Sequence, residues 1–212
     1  MDLLQRKQDV DPYLQPTFTL INRLRRLLWI VSWALLCRWT PRPLHVWRAF
    51  VLRVFGARIG RQNAIYPDVT IWAPWLLHTE DVVRIGPGAE IYNPGGVYLS
   101  HHVTISQSAY ICGATHDYNS QDFTYITKEI KLEPYVWICA RATLLPGAYC
   151  EEGSVLGAGS LSSKKLKAWT VYAGNPARAV RLRNNFLEAK DSEIREDFTD
   201  LYPSAAEKIL FL

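Results

Sequence analysis

The chain has 212 residues, of which 49% are hydrophobic and 21% charged. That balance excludes global disorder and fits one domain with at most a small appendage. The net charge of +4 hides an asymmetry: residues 1–61 carry eleven Arg and Lys against three Asp and Glu, whereas the remainder carries thirteen against seventeen. A basic leading arm of this kind suits an anionic surface such as phospholipid or nucleic acid.

Residues 1–16 read as a polar lead with Pro12 and Pro16, too polar for a signal peptide. From Thr17 to Trp39 the spacing predicts a helix capped by Thr17. Its most apolar run, Leu27 to Cys37, has eleven residues, short of the roughly twenty needed to cross a bilayer. Arg25, Arg26 and Arg38 flank that run, which fits a buried helix or one lying in a membrane interface. "TPRPL" breaks the pattern. A second helix over about Leu44 to Phe55 follows, ended by Gly56.

After Gly56 the texture changes. An aliphatic residue recurs at every sixth position: Ile59, Ile65, Ile71, then Ile85 and Ile91, then Leu99, Ile105 and Ile111. After an interruption it returns at Leu132, Ile138, Leu144 and Leu156, with Cys150 holding one place. The beat slips by two residues between 71 and 85 and again between 91 and 99. A helix has a period of 3.6 and a strand a period of two, so neither produces six. Six residues make one short strand and one corner, and three such units close a triangular coil. Stacked coils pair each backbone group with the coils above and below. Residues 57–175 therefore read as a hexapeptide β-helix rather than an antiparallel β-sandwich.

The interruption falls in "ICGATHDYNSQDFTYITKEI", where Thr115-His116-Asp117 opens a polar, aromatic run. A side chain inside a coil cannot meet a substrate, whereas one at the mouth of an excursion can. His116 is accordingly the candidate general base, because an imidazole with an ordinary pKa of about 6.5 is largely neutral at cellular pH. The other histidines take plainer roles, His45 in the second helix and His78, His101 and His102 near coil corners. Zinc held by three histidines on stacked coils is an alternative, but no matching histidine motif is present, and no metal is expected. Cys37, Cys112, Cys139 and Cys150 form no CxxC pair and read as buried free thiols of a reducing compartment. The segment Asn184–Leu212 reads as a short helical tail, with "SAAE" as a capping box.

The strings "PRPLHVWRAFVLRVFGARIG", "IYPDVTIWAPW", "THDY", "VWICARATLLPGAYC", "VLGAGSLSSK" and "AGNPARAVR" make the chain resemble the hexapeptide-repeat acyltransferases, most closely the colanic-acid O-acetyltransferases. The resemblance covers about Arg23 to Arg183. It implies a mainly β fold, a left-handed parallel β-helix, here with N-terminal α-helices (1–56), a β-helix domain (57–183) with an inserted loop at about 113–130, and the helical tail (184–212). It further implies a homotrimer with acetyl-CoA and acceptor meeting between subunits, and acetyl transfer to a saccharide hydroxyl with His116 as base. The second imidazole nitrogen would be held by a carbonyl or a carboxylate, with Asp117, Asp122 and Glu129 as candidates. By the same resemblance Lys164, Arg178 and Arg181 would contact the CoA phosphates, Ser163 would be the adjoining small hydroxyl residue, and Ala140 and Ala158 would flank the pantetheine slot. Asn93 and Asp117 are the acceptor-site candidates. Another acceptor (an amino sugar, a serine or a xenobiotic) and a non-catalytic trimeric scaffold are the rival readings. No nucleic acid is expected as a partner. The basic, Trp-rich helices over 17–56 would either cap the open end of the β-helix or make peripheral contact with the inner face of the membrane, in an otherwise cytoplasmic protein.

Overall fold

The structure, a computed structural model, describes residues 11–187. Two helices lead into a parallel β-helix of about six coils. Helix α1 spans Leu20–Leu36 and α2 spans His45–Val54. The cap of α1 is Thr19 rather than Thr17: its Oγ1 accepts from the Asn22 amide at 3.2 Å. Gly56, at φ +90°, ends the helical arm in a conformation that suits glycine.

The three faces of the prism are parallel ladders. The first stacks residues 58–59, 77–79, 97–99, 130–132, 149–150 and 165–166; the second stacks 64–65, 84–85, 104–105, 137–138, 155–156 and 170–173; the third stacks 70–71, 90–92, 110–112, 143–144 and 161–162. Inward positions are in register: Ile65, Ile85, Ile105, Ile138 and Leu156 form one buried column, and Ile71, Ile91, Ile111 and Leu144 another. Each is an aliphatic residue at the same place in successive six-residue units, which is why the beat of six is visible in the sequence.

Registers explain the slips in that beat. Ile59 pairs with Thr79 and Thr79 with Leu99, so the first two coils take 20 residues each. Leu132 pairs with Cys150, a coil of 18. The two extra residues sit at the corners following the third face, at 72–76 and 92–96. The second of these corners is tied to the first by Asn93. Its Nδ2 donates to the Ala73 carbonyl at 2.8 Å and its Oδ1 accepts from the Ala73 amide at 3.0 Å. Asn93 is fully buried, so this replaces the expected contact with an acceptor: both ends of the amide are engaged in closing a widened corner. Thr79, a polar residue on the beat, is satisfied in the same way, with Oγ1 accepting from Asn63 Nδ2 at 2.6 Å.

The open end of the β-helix is closed by the helical arm. In the coil body, the residue after each inward position donates its amide across to the next coil, as Tyr66 does to the Ile85 carbonyl. The first coil has no coil beneath it, so the carbonyls of Ile59, Ile65 and Ile71 lack that partner. Three side chains of the arm supply it: Arg53 Nε to Ile59 at 3.0 Å, Arg48 Nε to Ile65 at 2.6 Å, and Trp29 Nε1 to Ile71 at 2.6 Å. Arg48 is fully buried and also donates to the carbonyls of Pro41 and Arg42 and to Thr40 Oγ1. Trp29, Trp33, Ala49, Val51 and Leu52 join the same core as the coil interior.

At the other end, residues 178–182 turn back antiparallel along 170–173 and cover the second face's last strand. Arg183 Nη1 then donates to the Tyr135 and Gly153 carbonyls, both at 2.9 Å. The expected tail helix does not begin at once: residues 184–187 form an irregular turn, and the remainder of that prediction lies outside the described residues. All four cysteines are free and buried.

Arg48→Met is expected to lower unfolding stability by roughly 2–5 kcal/mol, since several buried carbonyls lose a donor at about 1–3 kcal/mol each. Trp29→Phe, which keeps the ring and removes one donor, should cost about 1–2 kcal/mol. Thermal and urea melts check both; an Arg48→Met protein that melts with the wild type would show that the arm does not hold the edge.

Candidate active site

The chain leaves the third face at Cys112 and rejoins the first at Ile130, and between them lies an antiparallel hairpin of strands Ala114–His116 and Tyr125–Thr127. Its base crosses tightly over the preceding corner. A Cβ on Gly95 would collide with the Lys128 backbone, so the rejoining strand requires glycine there.

His116 ends the outgoing strand opposite Tyr125 and is half-buried. Its Nδ1 lies 2.9 Å from the Phe123 carbonyl. A carbonyl can only accept, so this contact places the proton on Nδ1 and leaves the Nε2 lone pair free. The orienting group is therefore a backbone carbonyl rather than Asp117, Asp122 or Glu129. Phe123 adopts φ +46°, which bends the chain and turns its carbonyl back toward the imidazole. Its ring stacks on His116 at 4.2 Å and 11° between planes, and Tyr125 meets the imidazole edge-on at 5.2 Å. The imidazole thus has one ring face and one nitrogen fixed.

A second layer holds the first. Tyr125 Oη and Tyr92 Oη are 2.8 Å apart, and burial pushes the Tyr125 phenol well above its usual range, so it stays protonated. Phe18, from the lead before α1, meets Tyr125 edge-on at 5.4 Å and Trp72 at 5.2 Å, and Tyr13 stacks on the outer side of Phe123 at 5.7 Å. Asp117, an acceptor-site candidate, uses its Oδ1 to accept the Asn119 amide at 3.0 Å, and its own amide donates to the Thr124 carbonyl at 2.8 Å. It shapes the hairpin turn.

The residues expected to hold CoA are spread over two edges of the prism. Ala140, half-buried, and Ala158, exposed, lie at the same corner of successive coils between the second and third faces, linked by the Gly159 amide donating to the Ala140 carbonyl at 2.9 Å. Beside them Gly159, at φ +67°, has open space where a side chain would be. Ser163 and Lys164 are exposed at the next corner, between the third and first faces, with the Lys164 amide donating to Ser162 Oγ at 3.2 Å. Neighbouring Lys165 pairs with Glu151 at 2.5 Å, whereas no ion pair involves Lys164 among the described residues. Arg178 and Arg181 are exposed on the returning strand, and Arg178 Nη1 donates to the adjacent Ala177 carbonyl at 3.0 Å. The hairpin of His116 leaves from the same edge as Lys164. Within one protomer, the third face separates this edge from Ala140 and Ala158.

A concavity of about 940 Å³ lies elsewhere, where the first face turns into the second near the open end, and is lined by His78, His101, His102, Glu80, Arg53 and Arg58. Among the described residues no three His, Cys, Asp or Glu converge as metal ligands. His101 and His102 instead pack against Tyr135, and Glu80 accepts the His101 amide at 2.9 Å. The Phe123 carbonyl and the ring layer of Phe18, Tyr92 and Tyr125 were not singled out by sequence reasoning. The aromatic density of "FTYI" was the one available signal, and a backbone acceptor leaves none.

No family model matches the chain. It is 37% identical over 162 residues to the "Putative colanic acid biosynthesis acetyltransferase WcaF" of Escherichia coli K12, covering 76% of this chain and 89% of that protein. Among solved structures, the hexapeptide-repeat acetyltransferase VCA0836 of Vibrio cholerae superposes with a TM-score of 0.71 at 20% identity, over 79% of this chain and 95% of that one. The complex of that protein with acetyl coenzyme A gives a TM-score of 0.69 at 18% identity, over 78% and 88% of the two chains. A maltose O-acetyltransferase of Clostridium difficile also gives 0.69 at 18% identity, over 78% and 90%. At those identities the solved structures establish the shared fold, and the extent and level of the WcaF match establish the kinship: the chain belongs to the hexapeptide-repeat acetyltransferases of the colanic acid biosynthesis type.

Proposed function

We propose that the protein transfers acetyl from acetyl-CoA to a sugar hydroxyl of a polysaccharide or lipid-linked saccharide precursor, directly and within a ternary complex. The observation that carries this reading is the hydrogen bond from His116 Nδ1 to the Phe123 carbonyl, which prepares Nε2 as a base. As the acceptor oxygen attacks the thioester carbonyl, Nε2 takes its proton and a tetrahedral oxyanion forms. Collapse breaks the C–S bond, and the imidazolium returns the proton to the departing CoA thiolate. The products are the O-acetyl sugar and CoA.

An acyl-cysteine intermediate has no support in the geometry. Burial pushes the Cys139 thiol up to about 11 and the Cys150 thiol higher still, so neither is a thiolate at neutral pH. Cys112 Sγ donates to the Ala114 carbonyl at 3.2 Å.

The reading includes a homotrimer. His116 projects from one edge of the prism while Ala140 and Ala158 line another, so a slot containing both arises when one protomer's hairpin meets the second-to-third corner of its neighbour. Lys164, Arg178 and Arg181 would then hold the CoA phosphates, as charge-assisted contacts to phosphate oxygens. Gly159 would leave the backbone open to pantetheine. The reading also includes a cytoplasmic location with peripheral contact of residues 17–56 with the membrane.

His116→Ala is expected to reduce kcat by about 10²–10⁴-fold, the usual share of a general base, with the Kd of acetyl-CoA unchanged. Steady-state transfer to a panel of saccharides, read as CoA release, together with calorimetric CoA binding, checks this. Full transfer by His116→Ala would remove the base assignment, and a wild type that neither binds CoA nor transfers would favour the scaffold reading. Co-expressing His116→Ala with Ala158→Trp should restore roughly a quarter of wild-type activity, the statistical share of sites that combine one intact hairpin with one intact slot across a symmetric interface. No recovery in the mixed assemblies would place the whole site on one chain.

A further inference from the structure

Both helices of the arm are apolar on two sides. Their inner sides are closed against the coil core, through Trp29, Trp33, Ala49 and Leu52. On α1 the opposite side carries Leu24, Leu28, Val31 and Leu35, which are 56%, 61%, 45% and 72% exposed and follow one stripe at helical spacing. On α2, Val46 and Phe50 are 81% and 52% exposed, and the Trp47 indole donates to the Leu36 carbonyl at 2.8 Å, joining the two helices. The α1 stripe is about 17 Å long from Leu24 to Leu35, at 1.5 Å per residue. No helix among the described residues is long and apolar enough to cross a membrane.

The charge around this surface has one sign. Between Asp11 and Asp68 the sequence contains nine arginines and no carboxylate. Some arginines are committed to the fold: Arg48 and Arg53 cap the coil edge, and Arg25 and Arg26 lie over Trp75 and Trp72. Arg23 and Arg38 flank the stripe without an acidic partner among the described residues, and Trp39 stands 85% exposed at its end. A second copy meeting this face by two-fold symmetry would oppose arginines to arginines. An apolar stripe bordered by arginine and tryptophan, with no acid nearby, matches the boundary between acyl chains and anionic headgroups.

We infer that the arm seats in the plane of a bilayer containing acidic phospholipid, and that the acceptor is a saccharide carried on a membrane lipid. The second half rests on the acetyl-transfer reading of His116. Its support is the adjacency of arm and site. Phe18 immediately precedes the Thr19 cap of α1 and packs on Tyr125, which itself meets His116. The docked helix therefore begins one ring away from the catalytic hairpin, which sets that hairpin at the membrane surface.

Flotation of the full chain with phosphatidylcholine vesicles, with and without phosphatidylglycerol, tests the docking. Binding is expected only with phosphatidylglycerol, weaker at high salt. In Leu24→Gln/Leu28→Gln/Leu35→Gln, which alters only exposed positions, vesicle binding should fall at least about tenfold, while transfer to a soluble saccharide and the oligomeric state stay at wild-type levels. Retained soluble transfer also certifies that the triple variant is folded. Wild type that transfers acetyl but does not float overturns the docking and leaves the enzyme reading standing. Wild type that floats but transfers to neither soluble nor vesicle-borne saccharide leaves the docking and overturns the acceptor assignment. A triple variant that changes oligomeric state would show that the stripe is a protein interface, which also overturns the docking.

Discussion

A parallel β-helix has an unavoidable defect at its first coil: a rim of carbonyls with nothing beneath. Here that rim is met by side chains rather than by more backbone. Arg53, Arg48 and Trp29 deliver one donor to each of the three faces, to Ile59, Ile65 and Ile71. Unpaired buried carbonyls are costly and an open strand edge invites pairing with other chains, so this arrangement addresses stability and aggregation together. It also explains why Arg48 is fully buried without a salt bridge among the described residues. The guanidinium has five N–H donors, and the carbonyls of Ile65, Pro41 and Arg42 and the Thr40 hydroxyl accept from it.

The same economy of backbone acceptors recurs at the imidazole. A backbone carbonyl orients the His116 Nδ1, held in place because Phe123 takes an unusual backbone angle and stacks its ring on the histidine. The surrounding rings come from three separate parts of the chain: the lead (Phe18), two successive coils (Trp72, Tyr92) and the hairpin itself (Tyr125). The hairpin of His116, the coils and the arm are thus one packed unit.

Much of this was legible from spacing. The aliphatic beat is imposed by coil geometry, so Ile65 or Ile111 announce their inward direction, and the break at His116 announces the hairpin. The two helices were readable from periodicity, with the cap displaced by two residues because Thr17 and Thr19 are equivalent as residue types and only the chain path distinguishes them. Asn93 was misread because a polar residue beside a glycine-rich corner looks like a ligand contact, and its partner, the Ala73 backbone, has no sequence signature. Thr79 was passed over because it breaks the aliphatic beat, although Asn63 satisfies it from within the fold. The Phe123 carbonyl was illegible for the same reason as Ala73: main-chain acceptors are present at every position.

The commitment of Arg48, Arg53 and Trp29 to the first coil bears on how the arm moves, or rather on why it does not. A segment whose inner side chains finish the hydrogen bonding of the barrel floor cannot peel away as a tether and return. Whatever the outer side of those helices meets, it meets as a rigid plate, and any force on that plate is passed directly into the prism wall. Cut free of the plate, the coil would present a bare rung matched in period to its own upper rungs, a ready template for end-to-end growth.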